Sequence, residues 1–196
     1  MDEIINEVEE VREIKEKEEI DLLVSEILDG ETLIDEKPME FEENYIYNES
    51  ISVFLPKDFD LMNDELVKIK YPSNNRPNII MSDTAGIYSF MFNHTDSKLK
   101  ETEIKEFTNT MKQILTRSNS SIIFKANGLK EINGKEFGFL EFISPALDYD
   151  IYNLMYFVSF EGRALIIGFN CIKDLSNSWK NVAKAVFETL KINEVK

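Results

Sequence analysis

The 196-residue sequence is poor in several residue types, with one cysteine, one histidine, seven glycines and five prolines. Cys171 has no partner for an internal disulfide, so burial and hydrogen bonding hold the fold, and a reducing compartment suits it. The lone histidine and lone cysteine exclude a His- or Cys-rich zinc centre. No Gly-x-Gly-x-x-Gly or Gly-x4-Gly-Lys-Ser/Thr phosphate loop occurs, and no Gly-x-Ser-x-Gly elbow. Long apolar runs are missing too: stretches such as Leu165–Gly168 fall far short of the roughly 20 residues a spanning helix needs. The opening Met-Asp-Glu-Ile-Ile-Asn-Glu has neither the basic nor the apolar region of a secretory signal. A cytoplasmic protein is therefore the expectation, with an extracytoplasmic structural domain that has lost its leader as the alternative.

Positive charge is also scarce. Against 37 acidic side chains stand 22 basic ones, a net of −15. That balance argues against a nucleic-acid partner, which needs a basic face, and against direct insertion into an anionic membrane. What is present, 43% hydrophobic and 11% aromatic residues, suffices for one folded domain with an extension and excludes a wholly disordered chain.

The charge is unevenly spread. Residues 1–48 carry 18 acidic against four basic side chains, a net of −14, and the remainder carries 19 against 18, a net of −1. This step sets a boundary near Asn44, between an acidic, partly helical N-terminal arm over 1–44 and an α+β globular domain over 45–196. In the arm, Ile20, Leu23, Val24 and Ile27 fall at i, i+3, i+4 and i+7, which predicts an amphipathic helix over 19–29 closed by Gly30. Ile4, Val8 and Val11 begin a similar face, interrupted by the polar run Lys15–Glu19. Such a run is ordinarily a solvated face. The functional reading is a docking arm whose Ile20, Leu23, Val24 and Ile27 meet a partner protein.

From Tyr45 the pattern becomes that of short strands. Ile51, Val53 and Leu55 alternate before Pro56, and Val67, Ile69 and Tyr71 alternate before Pro72, predicting two strands. Residues 78–81 and 87–93 flank Ser82-Asp83-Thr84-Ala85-Gly86 as a hairpin. Ile104, Phe107, Met111, Ile114 and Leu115 predict a helix capped by Asp96 or Ser97, with Lys98, Lys105 and Lys112 on its polar side. Strands follow near 121–126, 135–143, 151–160 and 163–172, with tight turns at Asn133-Gly134 and Glu161-Gly162. Leu175, Trp179, Val182, Val186 and Leu190 mark a closing helix. Sheet with helices at separate points in the chain reads as layered α+β.

The strand Ile51-Ser-Val-Phe-Leu-Pro56 with Asp58 and Phe59 behind it, the hairpin, the central helix, the four meandering strands and the closing helix before Leu190-Lys191-Ile192 together resemble the PsbP/DcrB-like family, over about residues 45–192. Phe59 stands where that family often has Trp. The resemblance implies an antiparallel β-sheet sandwiched between helices, a fold shared with Ran-binding nuclear-transport factors. It also implies a binding role, since members act as assembly factors, small-GTPase partners or chaperones for the membrane-spanning segments of secreted effectors. It carries over no catalytic residue.

Few residues suggest chemistry. His94-Thr95-Asp96, with Ser89 or Ser97 nearby, has the composition of an imidazole oriented by a carboxylate, so a small hydrolase or transferase using His94 and Asp96 is the enzymatic alternative. Asp58-Phe59-Asp60-Leu61-Met62 starts like a calcium loop but places Met62 at the third ligand position, so no metal site is expected. Tyr88, Phe90 and Phe92 share one strand parity, as do Tyr152, Tyr156 and Phe160 on another strand. Such rows ordinarily fill a core, and alternatively line a concave peptide-binding face. The expectation is a non-enzymatic protein-binding module without cofactor, an adaptor or chaperone-like factor for a secreted or membrane-associated partner.

Overall fold

The computed structural model describes residues 2–73 and 76–193, with helical side chains from Glu10 onward. In chain order the elements are α1 (Asp2–Asp29), β1 (Glu31–Ile34), β2 (Lys37–Ile46), β3 (Ile51–Pro56), β4 (Asp60–Leu61), α2 (Asp64–Lys70), β5 (Ile79–Ser82), β6 (Ser89–Lys98), α3 (Ile104–Ser118), β7 (Ile123–Ile132), β8 (Lys135–Pro145), β9 (Asp150–Phe160), β10 (Arg163–Ile172), α4 (Ser176–Glu188) and β11 (Lys191–Ile192). The chain is α+β, with four helices and two antiparallel sheets among the described residues. It divides into two compact units, one of Met1–Lys57 with Ser178–Lys191 and one of Asp58–Asn177 with Ile192–Lys196.

In the first unit α1 runs for 28 residues, well beyond the predicted 19–29. The run Lys15–Glu19 does not break it, because Lys and Glu are strong helix formers and Glu13–Lys17 is a favourable i,i+4 spacing. The side chains of Ile4 and Val8 lie outside the described residues. Gly30 ends the helix at φ +101°, a left-handed value that suits glycine. Ile20 and Ile27 are buried, and Leu23 and Val24 are half-buried beside them. A two-residue turn at Asp35-Glu36, both at positive φ, joins β1 to β2. The sheet order is β1-β2-β3-β11, and the composition step near Asn44 falls within β2, where Phe41 and Ile46 are buried. Trp179, Val182, Ala183, Val186 and Phe187 form the buried stripe of α4. Lys184 of α4 donates to Glu16 of α1 at 2.7 Å, and the Phe54 N–H donates to Thr189 Oγ1 at 3.0 Å.

In the second unit seven strands lie in the order β4-β5-β6-β10-β9-β8-β7. The predicted strand over Val67–Tyr71 is instead helix α2. Asn63 Oδ1 accepts the Leu66 N–H at 3.0 Å, Asp64 and Glu65 occupy the first turn, and Lys68 and Lys70 occupy the last. The helix predicted to start at Asp96 or Ser97 starts at Ile104, because β6 continues through Lys98, which pairs with Arg163 of β10. α3 lies on β7, β8 and β9. Its Phe107, Met111 and Leu115 pack around Leu140, Phe142 and Phe157. Gly138 of β8 permits this approach, since a Cβ there would overlap Thr108 Oγ1. The Asn133-Gly134 and Glu161-Gly162 turns adopt the positive φ angles expected of them.

Candidate functional site

The register of the second sheet brings several chain segments to one of its ends. Ser82 of β5 and Asn170 of β10 both pair with Ser89 at the start of β6, and Ile172 pairs with Ile151 at the start of β9. The C-terminal end of α2, the loop between β5 and β6 and the tip between β8 and β9 meet there. Together they enclose a cavity of about 270 Å³ whose lining includes Lys70, Tyr71, Ile87, Tyr149, Ile151 and Asn170.

Each polar group in this cavity is placed by a local device. The Tyr71 N–H closes α2 on Val67 O at 2.8 Å, and Asn170 Nδ2 donates to the Tyr71 phenol at 3.0 Å. Asp83 fixes the facing loop: its two oxygens accept the N–H groups of Tyr88 at 2.8 Å and Ala85 at 3.2 Å. Gly86 takes a left-handed φ of +66° that favours glycine, with the Lys70 side chain packed beside it. Burial pushes the Lys70 ammonium pKa down, and the fields of Asp83 and Cys171 only partly oppose this. Burial pushes the Tyr71 phenol up, and the hydrogen bond with Asn170 only partly opposes this. The Cys171 thiol, also in the lining, is pushed up to about 12 by burial. A second cavity of about 160 Å³ is lined by Asp58, Asp60, Asn63 and Asp83 with apolar neighbours. Among the described residues no group of three His, Cys, Asp or Glu side chains is gathered as a metal site.

His94 lies at the opposite end of the sheet. Arg163 Nη2 donates to its Nδ1 at 3.3 Å, so Nε2 carries the proton and donates to Phe160 O at 3.1 Å. The ring also leans on Phe160, with centroids 4.8 Å apart. Asp96 bonds Arg163 at 3.2 Å, so the guanidinium and not the imidazole takes the carboxylate. His94 lines neither cavity.

The aromatic rows sit inside. Phe90 and Phe92 are fully buried, Tyr152 and Tyr156 nearly so, and Tyr88 is half-exposed. Phe90 packs on Phe169 with centroids 4.9 Å apart, and Tyr156 meets Phe137 edge-on at 6.2 Å. The exposed apolar side chains are different ones. At the cavity end of the second unit, Leu61, Ile69, Leu147 and Tyr149 are exposed. On α1, Val11, Ile14, Leu22 and Leu28 are exposed, and at 100° per residue Val11, Ile14 and Leu22 lie opposite the side of Ile20 and Ile27, with Leu28 on the flank between. Sequence reasoning missed the first set, and of the second it read only Val11 as part of an apolar face and Leu28 as widening the stripe. The signal for the first was an apolar Leu147 and Tyr149 in the short stretch between two strands, and for the second a further apolar row outside the i, i+3, i+4 stripe.

Solved structures share this fold. Cyanobacterial PsbP (CyanoP) from Synechocystis superposes with a TM-score of 0.56 at 9% identity, covering 82% of this chain and 97% of that one. The Ran-binding protein Mog1p from Saccharomyces cerevisiae gives 0.52 at 9% identity, covering 79% and 96%. The chain therefore has the PsbP/Mog1p-like fold, as the order of its elements implied, and the likeness is one of fold. No protein-family model matches the sequence, and no curated protein is significantly similar to it. Among the described residues no helix is long and apolar enough to cross a membrane.

Proposed function

We propose that the protein is a non-enzymatic binding module for another protein, an adaptor or chaperone-like factor for a secreted or membrane-associated partner, and that the acidic arm supplies a contact surface. The observation that carries this reading is the double-faced α1: Ile20 and Ile27 are turned inward, while Val11, Ile14 and Leu22 remain exposed on the other side. An apolar row of that length on a strongly acidic helix suits a partner segment that is apolar in the middle and basic at its margins. Leu61, Ile69, Leu147 and Tyr149 offer a further apolar surface in the second unit. Mog1p, with the same fold, is a Ran-binding protein, which supports a protein partner at the level of fold.

The test is capture from the native cell with the full chain, beside an Ile14→Ser/Leu22→Ser variant whose melting is checked first. A partner with a basic contact segment, captured in low salt and lost with the variant, is the expected result. Capture indifferent to the substitutions, or no specific partner, would overturn the reading.

A further inference from the structure

We propose that the cavity between the C-terminal end of α2 and the ends of β9 and β10 binds a small carboxylic acid, with its carboxylate on the Lys70 ammonium and its apolar body against Ile87, Ile151 and Ile172. This inference does not rest on the protein-binding reading and concerns a different surface.

Size sets the first limit. At about 270 Å³ the cavity lies just below the range of roughly 300–1,000 Å³ that takes drug-sized ligands, so it suits an acid with a short alkyl chain or a single ring. Charge sets the second. Lys70 is an exposed side chain in the cavity lining and takes part in none of the ion pairs found among the described residues. Asp83, whose field reaches Lys70, has both oxygens engaged by backbone N–H groups of its own loop. An ammonium with no ion-pair partner beside apolar walls is open to a carboxylate that enters the cavity, and the two form a charge-assisted hydrogen bond.

The remaining groups fit a monoanion. The Tyr71 phenol, kept protonated by burial, is held by Asn170, accepting from Nδ2 at 3.0 Å and donating to Oδ1 at 3.3 Å, so it brings no charge to oppose an anion. The Cys171 thiol is neutral at physiological pH and does not repel an anion. Lys173, next in the chain to the lining residue Ile172, is already paired with Asp150 at 3.2 Å. One available cation among apolar walls matches a monocarboxylate better than a phosphate, which would bring a second charge with nothing to meet it.

The experiment is an NMR titration of the full chain, labelled with 15N, with sodium hexanoate and sodium phenylacetate as probes and 1-hexanol as the neutral control. Saturable shifts centred on Gly86, Tyr149, Asn170 and Cys171 are expected with both acids, and binding about tenfold weaker for hexanol. Lys70→Met should weaken hexanoate about tenfold and leave hexanol unchanged, and Lys70→Arg should retain the acid. The wild-type comparison of acid with alcohol decides the matter even where a variant fails to fold. Absence of saturable shifts, shifts centred elsewhere, or equal affinity for acid and alcohol would each overturn the proposal.

Discussion

Cys171 lies in β10 with 1% of its surface exposed, and burial pushes its thiol up to about 12. At pH 8 it is protonated and out of reach, so a disulfide reagent specific for thiolates is expected to leave the folded chain untouched and to label one site after denaturation. Rapid labelling of the native protein would place this thiol outside the core. Reading it as an inert apolar residue was possible from the sequence, since Phe169 and Ile172 flank it. The state of His94 was not legible in the same way. Arg163, which separates the imidazole from Asp96, is 69 residues away in the chain and arrives only through the pairing of β10 with β6. The same holds for Lys70 and Asn170, brought to one cavity by the register of the sheet.

Helices and strands were readable where one period dominated. β7 to β10 and their turns are local structures, and Asn133-Gly134 and Glu161-Gly162 announce their own left-handed angles. α2 was misread because in seven residues an alternation of two and a helical turn fit equally well, and the deciding group is the Asn63 side chain just before it. α1 runs beyond its apolar stripe because the Lys and Glu residues that interrupt the stripe themselves favour helix. One contact of α1 has a measurable signature. Burial pushes the Glu16 carboxyl up, but the hydrogen bond from Lys184 and the fields of Lys184, Lys180 and Arg12 outweigh it and hold the group below its ordinary 4.5. A carboxyl lowered in the folded state contributes stability above its unfolded value, and that stability is lost as pH falls through the folded one. Lys184→Met should therefore lower stability at neutral pH and shrink the loss seen on acidification below about pH 4. Parallel stability curves for wild type and variant across that range would show that the pair contributes nothing.

Over the whole molecule the charge of −15 is concentrated, with −14 on residues 1–48. Self-repulsion among those carboxylates opposes folding and is long-ranged in dilute salt. Raising ionic strength from about 0.01 M to about 0.1 M shortens the screening length from about 30 Å to about 10 Å, and the melting temperature is expected to rise over that step. A melting temperature that fell with salt would mean that attractive pairs outweigh the repulsion.

The first unit is discontinuous in the chain, since Met1–Lys57 is completed by Ser178–Lys191. During synthesis the ribosome must deliver the whole of Asp58–Asn177 before Ser178–Lys191 appears, an interval on the order of ten seconds at ordinary translation rates. Through that interval Ile20, Ile27, Phe41 and Val53 have emerged without the helix that belongs to their unit. The second unit is by then almost fully made, so residues translated before it are among the last to reach their final neighbours. The acidic run that surrounds them keeps such a nascent segment hydrated and apart from its copies on neighbouring ribosomes.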